Sequence, residues 1–514
     1  MSDEEFPVLI TGGCMAGLSM ALFLAQQGVR SLLVERHPSI SPHPRAQAAS
    51  PRTMELLRPL GLEDEVRAAE TPNARYGNIL QVSSLAGDEL GDFDGPFRHE
   101  TNGASATGWT LIGQDRLEPI LAARAAELGA DLRFGTELVR HRQDDDGVTA
   151  VIRDASGERT VRAGYLIAAD GNRSSIRDGL GITTSGRGVL GRQMIILFQA
   201  ALQDHVRGRE FFLCFVSNPQ VHGVLGQLDA DAAGRWVLAP SLQPGQTHED
   251  FTDADCVELV RAAAGDPGLE VEIENVDSWE IAERVADGFR SGRVFLVGDS
   301  AHLMPPTGGF GGNLGVQDAH NLAWKLALVL RGAAAAALLD SYEAERLPIA
   351  IAVAEQAVIR YLQRSGLDQE IAARHRPEST VLFGHVYGAE PGAGLDDLIE
   401  DPLLQRGLPG TRAPHLESCG VHDLMRGNFV LLTANGERWR SAVSTATAAT
   451  GIAIDAHSVE TDEFTTRYEI GETGAVLVRP DGFVAWRWTE RPDEAAAELT
   501  GRLRHACGFA TARV

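Results

Sequence analysis

The chain has 514 residues, 44% of them hydrophobic and 23% charged, and its 71 acidic and 46 basic side chains give a formal net charge of −25. This length and composition are typical of a globular protein with about two to four domains, and they exclude global disorder. A surface this negative repels phosphate backbones and anionic lipid, so we expect neither nucleic acid nor a membrane surface as a partner.

Further sequence features favour a cytoplasmic location. No apolar run approaches the roughly 18 residues that a bilayer span needs, and Met1–Glu5 is acidic where a secretory signal would be basic.

The histidines show no HxxxH or HxH pairing, so no metal site is predicted. The cysteines lack CxxC spacing, and we expect buried, inert thiols. They are Cys14, Cys214, Cys256, Cys419 and Cys507.

The first forty residues predict a βαβ unit. An apolar run from Phe6 to Thr11 ends in glycines, apolar residues recur at helical spacing from Leu18 to Ala25, and Ser31 to Val34 is strand-like again. The turn Gly12–Gly17 then lies at a helix N-terminus, which can receive a pyrophosphate. Glu35 follows the second strand at a spacing suited to an adenosine ribose.

The match to the GxGxxG fingerprint is imperfect. Gly12 and Gly17 are in register, but Cys14 replaces the second glycine, and its side chain should crowd the phosphates. A tight turn without a ligand is the alternative. The segment Gly186–Gly191 matches GxGxxG fully, but it follows no strand and precedes a strand-like run, so we interpret it as a loop.

Two later motifs place acids after apolar strands. Tyr165–Ala169 is followed by Asp170-Gly171, and Arg293–Val297 is followed by Gly298-Asp299. An acid in this position can bind a sugar hydroxyl. The glycine-rich loop Pro305–Asn313 comes next and offers backbone N–H groups at the start of a long amphipathic helix.

Taken together, these motifs resemble the FAD-dependent class A aromatic hydroxylases, the group of the para-hydroxybenzoate and phenol hydroxylases. The nearest subfamily is the aromatic polyketide hydroxylases of antibiotic pathways. The resemblance covers essentially the whole chain and is most specific over residues 292–346, which contain GDSAHLMPPTGGFGGNLGVQDAHNLAWKLA.

The resemblance implies an FAD monooxygenase with NADPH or NADH as reductant. It would use O2 to hydroxylate a small aromatic substrate, phenolic and polycyclic, through a C4a-hydroperoxyflavin. Baeyer–Villiger oxidation or epoxidation on the same scaffold remains an alternative, as does a non-catalytic drug- or flavin-binding protein. A homodimer is also compatible with the resemblance.

The resemblance further implies which residues bind the cofactor. Asp299 would bind the ribityl chain, Pro306 would lie against the isoalloxazine, and the amides of Gly312 and Asn313 would face the O2 and N1 edge of the flavin. The resemblance identifies no catalytic base; His99 and His222 are the candidates. The expected cofactor-binding residues are Gly12, Gly13, Ala16, Gly17, Glu35, Arg36, Arg45, Gln114, Asp170, Gly171, Asp299, Pro306, Gly309, Gly311, Gly312 and Asn313.

The predicted fold is α/β. It combines an FAD-binding Rossmann-like βαβ domain and an inserted antiparallel substrate sheet whose aromatic side chains are mostly core. The resemblance also implies a thioredoxin-like C-terminal domain, here without CxxC. The expected segments are FAD-binding at 1–75, 101–184 and, with further helices, 281–395; substrate side at 76–100; substrate sheet at 185–280; and C-terminal domain at 396–514.

Overall fold

The computed structural model describes residues 4–41, 46–71, 74, 78–93, 101, 103–228, 234–364, 373–390 and 392–509. The strands are β1 (Glu4–Thr11), β2 (Ser31–Glu35), β3 (Ile79–Val82), β4 (Glu89–Phe93), β5 (Asp131–Phe134), β6 (Glu137–Gln143), β7 (Val148–Asp154), β8 (Gly157–Ala168), β9 (Thr184–Gln199), β10 (Leu213–Ser217), β11 (His222–Gln227), β12 (Arg235–Pro240), β13 (Glu272–Ala286), β14 (Arg290–Ser291), β15 (Val294–Leu296), β16 (His302–Leu303), β17 (Phe429–Thr433), β18 (Ile454–Ser458), β19 (Ala475–Val478) and β20 (Val484–Trp488). The α-helices are α1 (Met15–Gln26), α2 (Pro51–Leu57), α3 (Glu63–Ala68), α4 (Gln114–Glu127), α5 (Ser175–Gly179), α6 (Gln203–Val206), α7 (Asp253–Ala264), α8 (Phe310–Leu330), α9 (Asp340–Arg364), α10 (Glu378–Phe383), α11 (Leu395–Leu398), α12 (Gly436–Thr450), α13 (Asp462–Arg467) and α14 (Ala495–Ala506).

The first sheet is parallel through its centre. Its strand order is β14-β15-β8-β1-β2-β5, and β7 and β6 extend it antiparallel from β8. The predicted βαβ unit is confirmed as β1–α1–β2, with Leu9 opposite Leu32 in parallel register. The central strands are near-continuous apolar runs because parallel strands of this kind are covered by helices and buried on both faces. This sheet therefore carries the Rossmann-like part of the predicted fold.

The second sheet has the order β16-β13-β9-β12-β11-β10-β3-β4. It includes the strands of the predicted segment 185–280, and it also takes in β3 and β4 from the predicted substrate-side segment and β13 as far as Ala286. The predicted loop at Gly186–Gly191 is wrong: these residues lie within β9, paired with β13. Gly186 and Gly188 take positive φ values of 134° and 71° where the register shifts, so the glycines permit a bulged strand.

The two faces of this sheet differ. Side chains such as Phe198 and Trp236 are buried in a core shared with α7. The opposite face is apolar but half-buried, and Leu213 on it packs against the core of the first sheet. This face therefore looks toward the cofactor-binding part. Its half-buried apolar side chains include Ile195, Phe215, Val224, Val237 and Trp279.

The C-terminal module has the thioredoxin-like arrangement that the sequence predicts. Its sheet has the order β18-β17-β19-β20, with β17 parallel to β18 and antiparallel to β19. Residues of α12 and α14 contribute to the core on one face, and α13 contributes to the core on the other. None of the helices in the described part of the chain combines the length and apolar character that a bilayer crossing requires.

Charged side chains are buried where this module meets α8 and α9. Arg479 donates to Glu345 at 2.7 and 2.8 Å and to Asp481 at 2.5 Å. Lys325 donates to Glu345 at 2.7 Å, and the indole N–H of Trp324 donates to Asp481 at 3.1 Å. We call these five residues the module network. They join the β19–β20 turn to the long helix that follows the glycine-rich loop.

The prediction of buried thiols holds for three of the five cysteines. Cys214, Cys256 and Cys507 are buried, and burial raises the pKa of Cys214 and Cys507 to about 12. Cys14 and Cys419 are only half-buried, which corrects the prediction for these two. Cys14 differs because it sits at the start of α1, at the edge of the sheet.

Candidate active site

Four predicted site elements meet at the carboxyl edge of the first sheet. Glu35 ends β2, the Gly12 turn follows β1, Asp170 follows β8, and Asp299 follows β15. These strands are neighbours in the order β15-β8-β1-β2 and run parallel, so their ends lie in one row. Segments as far apart in sequence as Gly12 and Asp299 therefore form one edge, which is the usual ligand position of an open α/β sheet.

Glu35 is buried and holds the turn after β1. Its carboxylate accepts the backbone N–H of Gly13 at 2.7 Å and that of His37 at 2.9 Å, and it also contacts His37 Nδ1 at 2.6 Å. Burial opposes ionisation, but the backbone hydrogen bonds and the His37 side chain outweigh it and hold the pKa of Glu35 below its ordinary value. Glu35 is therefore an ionised acceptor at the edge of the site.

The two matching fingerprint glycines are required by close backbone approach. Gly12 has a φ of 106°, and a Cβ there would lie 2.1 Å from the carbonyl oxygen of Ala169. A Cβ on Gly17 would lie 1.9 Å from the carbonyl oxygen of Gly12. Cys14, by contrast, caps α1 with a φ of −93° and a ψ of −175°, an extended conformation that any residue adopts. The fold itself therefore does not demand glycine at position 14.

Ala16 connects the first and third motifs. A Cβ on Gly298 would lie 2.7 Å from Ala16 Cβ, and one on Gly315 would lie 3.2 Å from it. Small residues at these three positions let the first turn of α1 approach α8 and the loop that carries Asp299. Ala16 is thus placed as a packing residue beside the edge.

Asp170 offers an acceptor at the same edge. Its Oδ2 accepts the backbone N–H of Ile176 at 3.4 Å. Its Oδ1 is buried and has no hydrogen-bond partner among the residues that the structure describes. A buried carboxylate oxygen left in this state suits a ligand that brings a donor such as a hydroxyl or amide. Gly171 follows with a φ of 83°.

The glycine-rich loop leads into the N-terminus of α8. Asp299 and Pro306 are exposed, while Gly309 caps the helix and Gly311 and Gly312 lie half-buried in its first turn. Helix geometry leaves the first N–H groups of α8 without carbonyl partners within the helix, and these groups favour a negative ligand.

Asn313 carries a structural role that the sequence did not predict. Its side chain donates to the carbonyl oxygens of Ala48 at 3.1 Å and Gly309 at 2.7 Å. Its Oδ1 accepts from Ser50 N at 2.8 Å and from Thr53 Oγ1 at 2.6 Å. The side chain therefore ties the start of α2 to the start of α8, and only its backbone amide is available for the predicted contact.

The remaining predicted residues are dispersed. Gln114 starts α4, donates to Glu118 at 2.6 Å and accepts from Ala46 N at 3.3 Å, so its side chain already has protein partners. Arg36 is exposed beside Glu35. His222 is exposed on β11 and contacts Ser217 Oγ at 2.9 Å, away from the carboxyl edge. Two further calls, Arg45 and His99, lie outside the described residues.

Sequence reasoning missed two carboxyl groups near α8, the buried Asp318 and the half-buried Glu378. Asp318 contacts His302 Nε2 at 2.6 Å and accepts a hydrogen bond from Arg346 Nε at 2.7 Å. The first of these contacts connects α8 to the residues just before the glycine-rich loop. Glu378 accepts the indole N–H of Trp109 at 2.7 Å. Burial raises the pKa of Glu378 to about 7 against the opposing effects of the Trp109 hydrogen bond and the Arg360 charge. No local motif marks Glu378, because its partners come from distant segments.

These residues fit FAD. Asp170 Oδ1 is buried without a hydrogen-bond partner among the described residues, and the N-termini of α1 and α8 attract negative groups. Glu35 and Asp299 supply acceptors for hydroxyl groups at opposite ends of the row. Together, these N–H donors and carboxylate acceptors suit a long ligand that carries both phosphates and sugar hydroxyls.

Known proteins share this architecture. The family profile "FAD binding domain" matches residues 5–357, and the profile "Aromatic-ring hydroxylase, C-terminal" matches residues 406–510. The chain is 42% identical to tetracenomycin A2 monooxygenase-dioxygenase of Streptomyces glaucescens, over 98% of this chain and 97% of that protein. It is 43% identical to 4-methyl-5-nitrocatechol 5-monooxygenase of Burkholderia sp, with the same two coverages. The crystal structure of aklavinone-11 hydroxylase with FAD and aklavinone superimposes with a TM-score of 0.89 at 38% identity, covering 99% of this chain and 100% of that one.

Proposed function

The chain belongs to the FAD-dependent aromatic-ring hydroxylases, and we propose that it transfers one oxygen atom from O2 to the ring of a phenolic, polycyclic substrate, with NADPH or NADH as reductant. The observation that carries this proposal is the row of Glu35, the Gly12 turn, Asp170 and Asp299 along four neighbouring parallel strands. The polycyclic class is supported by relatives named for tetracenomycin and aklavinone.

In this proposal, FAD, when bound, supplies the redox chemistry and the activation of O2. The Gly12–Gly17 turn and the N-terminus of α1 hold the pyrophosphate. Glu35 accepts from the adenosine ribose, and Asp299 accepts from the ribityl hydroxyls. The first amides of α8 stabilise negative charge at the flavin edge, because fixed donors need no reorganisation when the charge develops.

The substrate side of the proposal rests on the half-buried face of the second sheet. This face is apolar and looks toward the cofactor-binding part, and β16 joins the sheet directly to the glycine-rich loop. A flat aromatic substrate would lie between this face and the flavin. Phe215 and Trp279 offer aromatic surface there, and the enclosure would exclude water from the reacting atoms.

The test is a cofactor and product assay. Purified protein loaded with FAD is incubated with NADPH, ¹⁸O₂ and a panel of hydroxyanthraquinones, and products are measured by mass spectrometry. A hydroxylated product with one labelled oxygen supports the proposal. Failure to bind FAD overturns it, and a ring-expanded ester or an epoxide favours the alternative oxygen insertions.

A second candidate substrate class is a monocyclic catechol. It is favoured by the relative from Burkholderia sp, whose name specifies 4-methyl-5-nitrocatechol and whose 43% identity to this chain is within one percentage point of the 42% of the tetracenomycin A2 relative. The same assay separates the two classes when 4-methyl-5-nitrocatechol joins the panel. A kcat/KM at least tenfold higher for the catechol would favour the monocyclic class.

A further inference from the structure

Glu378 lies one side chain away from the glycine-rich loop. It begins α10, and its Oε1 accepts the indole N–H of Trp109 at 2.7 Å. The six-membered ring of Trp109 lies 3.6 Å from the position that a Cβ would take on Gly309. The indole therefore bridges the carboxyl of Glu378 and the residue that caps α8, which the proposed function assigns to the flavin side of the site.

The surroundings of Glu378 differ from those of Glu55 and Asp318, two fully buried carboxylates. Glu55 is paired with Arg52 at 2.8 Å and with Arg412, and Asp318 is paired with Arg346 at 2.7 Å. For Glu378, the hydrogen-bond donor is a neutral indole.

The charges nearest to Glu378 are already engaged. Within the described residues, the cation that acts on it is Arg360 of α9, whose guanidinium donates to carbonyl oxygens of Gln356 and Arg376. Arg376, two residues earlier in the chain, is itself paired with Asp396 at 2.6 Å. Glu378 is thus a half-buried carboxyl, oriented by Trp109 and not fixed in the charged state by a salt bridge to these residues.

We propose that Glu378 accepts the proton of the phenolic hydroxyl of the bound substrate. This inference rests on the proposed function. In this step, the O–H bond of the phenol breaks and an O–H bond forms on the Glu378 carboxylate, and no electron is transferred. The phenolate electron pair enriches the ring carbons that receive oxygen, and the proton then leaves Glu378 for solvent when the product departs.

The hydrogen bond to Trp109, whose ring lies beside Gly309, places Glu378 near the start of α8, and its surroundings suit this role. A carboxyl that burial has made a stronger base lies closer in pKa to a phenol than an exposed carboxylate does, and proton transfer is most effective between groups of similar pKa. The positive charge of Arg360 acts on Glu378 and limits the rise in its pKa. The hydrogen bond from the Trp109 indole holds the carboxyl in one orientation, and the indole itself carries no charge.

The experiment uses two chromophoric phenols, alizarin and 4-methyl-5-nitrocatechol, bound to the FAD-loaded enzyme without NADPH. Their absorption is titrated between about pH 5 and pH 9 in the wild type, in Glu378→Gln and in the control Glu437→Gln, whose side chain is 74% exposed. We expect two coupled ionisation steps for the bound dye in the wild type and the control, and one step in Glu378→Gln.

Turnover supplies the second readout. We expect Glu378→Gln to lower the rate of product formation by roughly 10²-fold and to remove the decline of kcat/KM below about pH 7, with FAD affinity unchanged. Trp109→Phe removes a hydrogen bond that lowers the pKa of Glu378, so the decline should move to higher pH.

Two results would overturn the inference. Unchanged titration and pH profiles in Glu378→Gln, with dye binding and product formation intact, would reject Glu378 as the proton acceptor while leaving the proposed function in place. Absence of dye binding and of any product in the wild type would instead reject the proposed function, and the inference with it.

Discussion

The carboxyl groups beside the two ends of α8 have different hydrogen-bond partners. At its C-terminal half, in the module network, Arg479 pairs with both Glu345 and Asp481, and Lys325 pairs with Glu345. Beside its N-terminal end, Glu378 has a neutral donor. Burial opposes ionisation in both places, but Arg479 and Lys325 hold the pKa of Glu345 below its ordinary value, whereas the pKa of Glu378 rises to about 7.

Because of this difference, Glu345 keeps a fixed negative charge, whereas Glu378 can gain and lose a proton. Glu345 remains ionised across the physiological range, so the module network can only hold the C-terminal module in place. Glu378 changes protonation near neutral pH, which is what proton transfer requires. The same helix thus links a structural interface to the candidate active site, and variants at its two ends should affect different measurements.

Arg479→Met should have the largest effect on stability. It leaves Glu345 with Lys325 as its remaining cation and removes the cation from Asp481, so we expect the free energy of unfolding to fall by about 3–5 kcal/mol. Urea denaturation measures the change. Arg440→Met, which breaks an exposed pair with Glu437, serves as control and should cost less than about 1 kcal/mol. Equal losses in the two variants would contradict a structural role for the module network.

Asn313→Ala should act at the other end of α8. The variant removes three hydrogen bonds that join α8 to the residues before and within α2, and a fourth to Gly309 at the start of α8. We expect a loss of about 2–4 kcal/mol in unfolding free energy. We also expect weaker FAD binding, measured by flavin fluorescence. Asn428→Ala, which removes a bond to Asp455 in the C-terminal module, should leave FAD binding unchanged. Unchanged FAD affinity in Asn313→Ala would separate this tie from the cofactor site.

The sequence predicted the parts of the site that are written locally. Glu35, Asp170 and Asp299 each follow an apolar strand, and this pattern can be recognised without knowing which strands are neighbours in the sheet. Gly186–Gly191 was misjudged because pairing with β13, about 90 residues later, decides its conformation. Glu378 could not be found, since the indole that orients it is 269 residues away in sequence. Burial and long-range partners, not residue type, give it its chemistry.

Glu378→Gln should change the pH dependence of stability. A carboxyl whose pKa is raised on folding stabilises the folded protein at low pH. This stabilisation is lost as the pH rises from the pKa of the unfolded state, near 4.5, through about 7. We therefore expect Glu378→Gln to be more stable than the wild type at pH 8, by about 1–3 kcal/mol, and to lose this advantage at pH 4. Urea denaturation at the two pH values measures the effect. A difference independent of pH would contradict a raised pKa.

Glu345 should show the opposite trend. Because its folded pKa is lowered, its contribution to stability is present above pH 4.5 and is lost as the pH falls further. The wild type should therefore lose stability on acidification below pH 4.5, and Glu345→Gln should lose less of it. Identical acid-side slopes in the wild type and Glu345→Gln would remove the distinction between the two ends of α8.

Cys14→Gly should have the smallest effect and bears on the carboxyl edge itself. The backbone at position 14 is extended and does not require glycine, so the unfolding free energy should change by less than about 1 kcal/mol. If the Cys14 side chain crowds the pyrophosphate, FAD affinity should rise, by up to about tenfold, in a fluorescence titration. An unchanged affinity would mean that the turn accepts the cysteine side chain without cost, and that close approach at this edge depends on Gly12 and Gly17 alone.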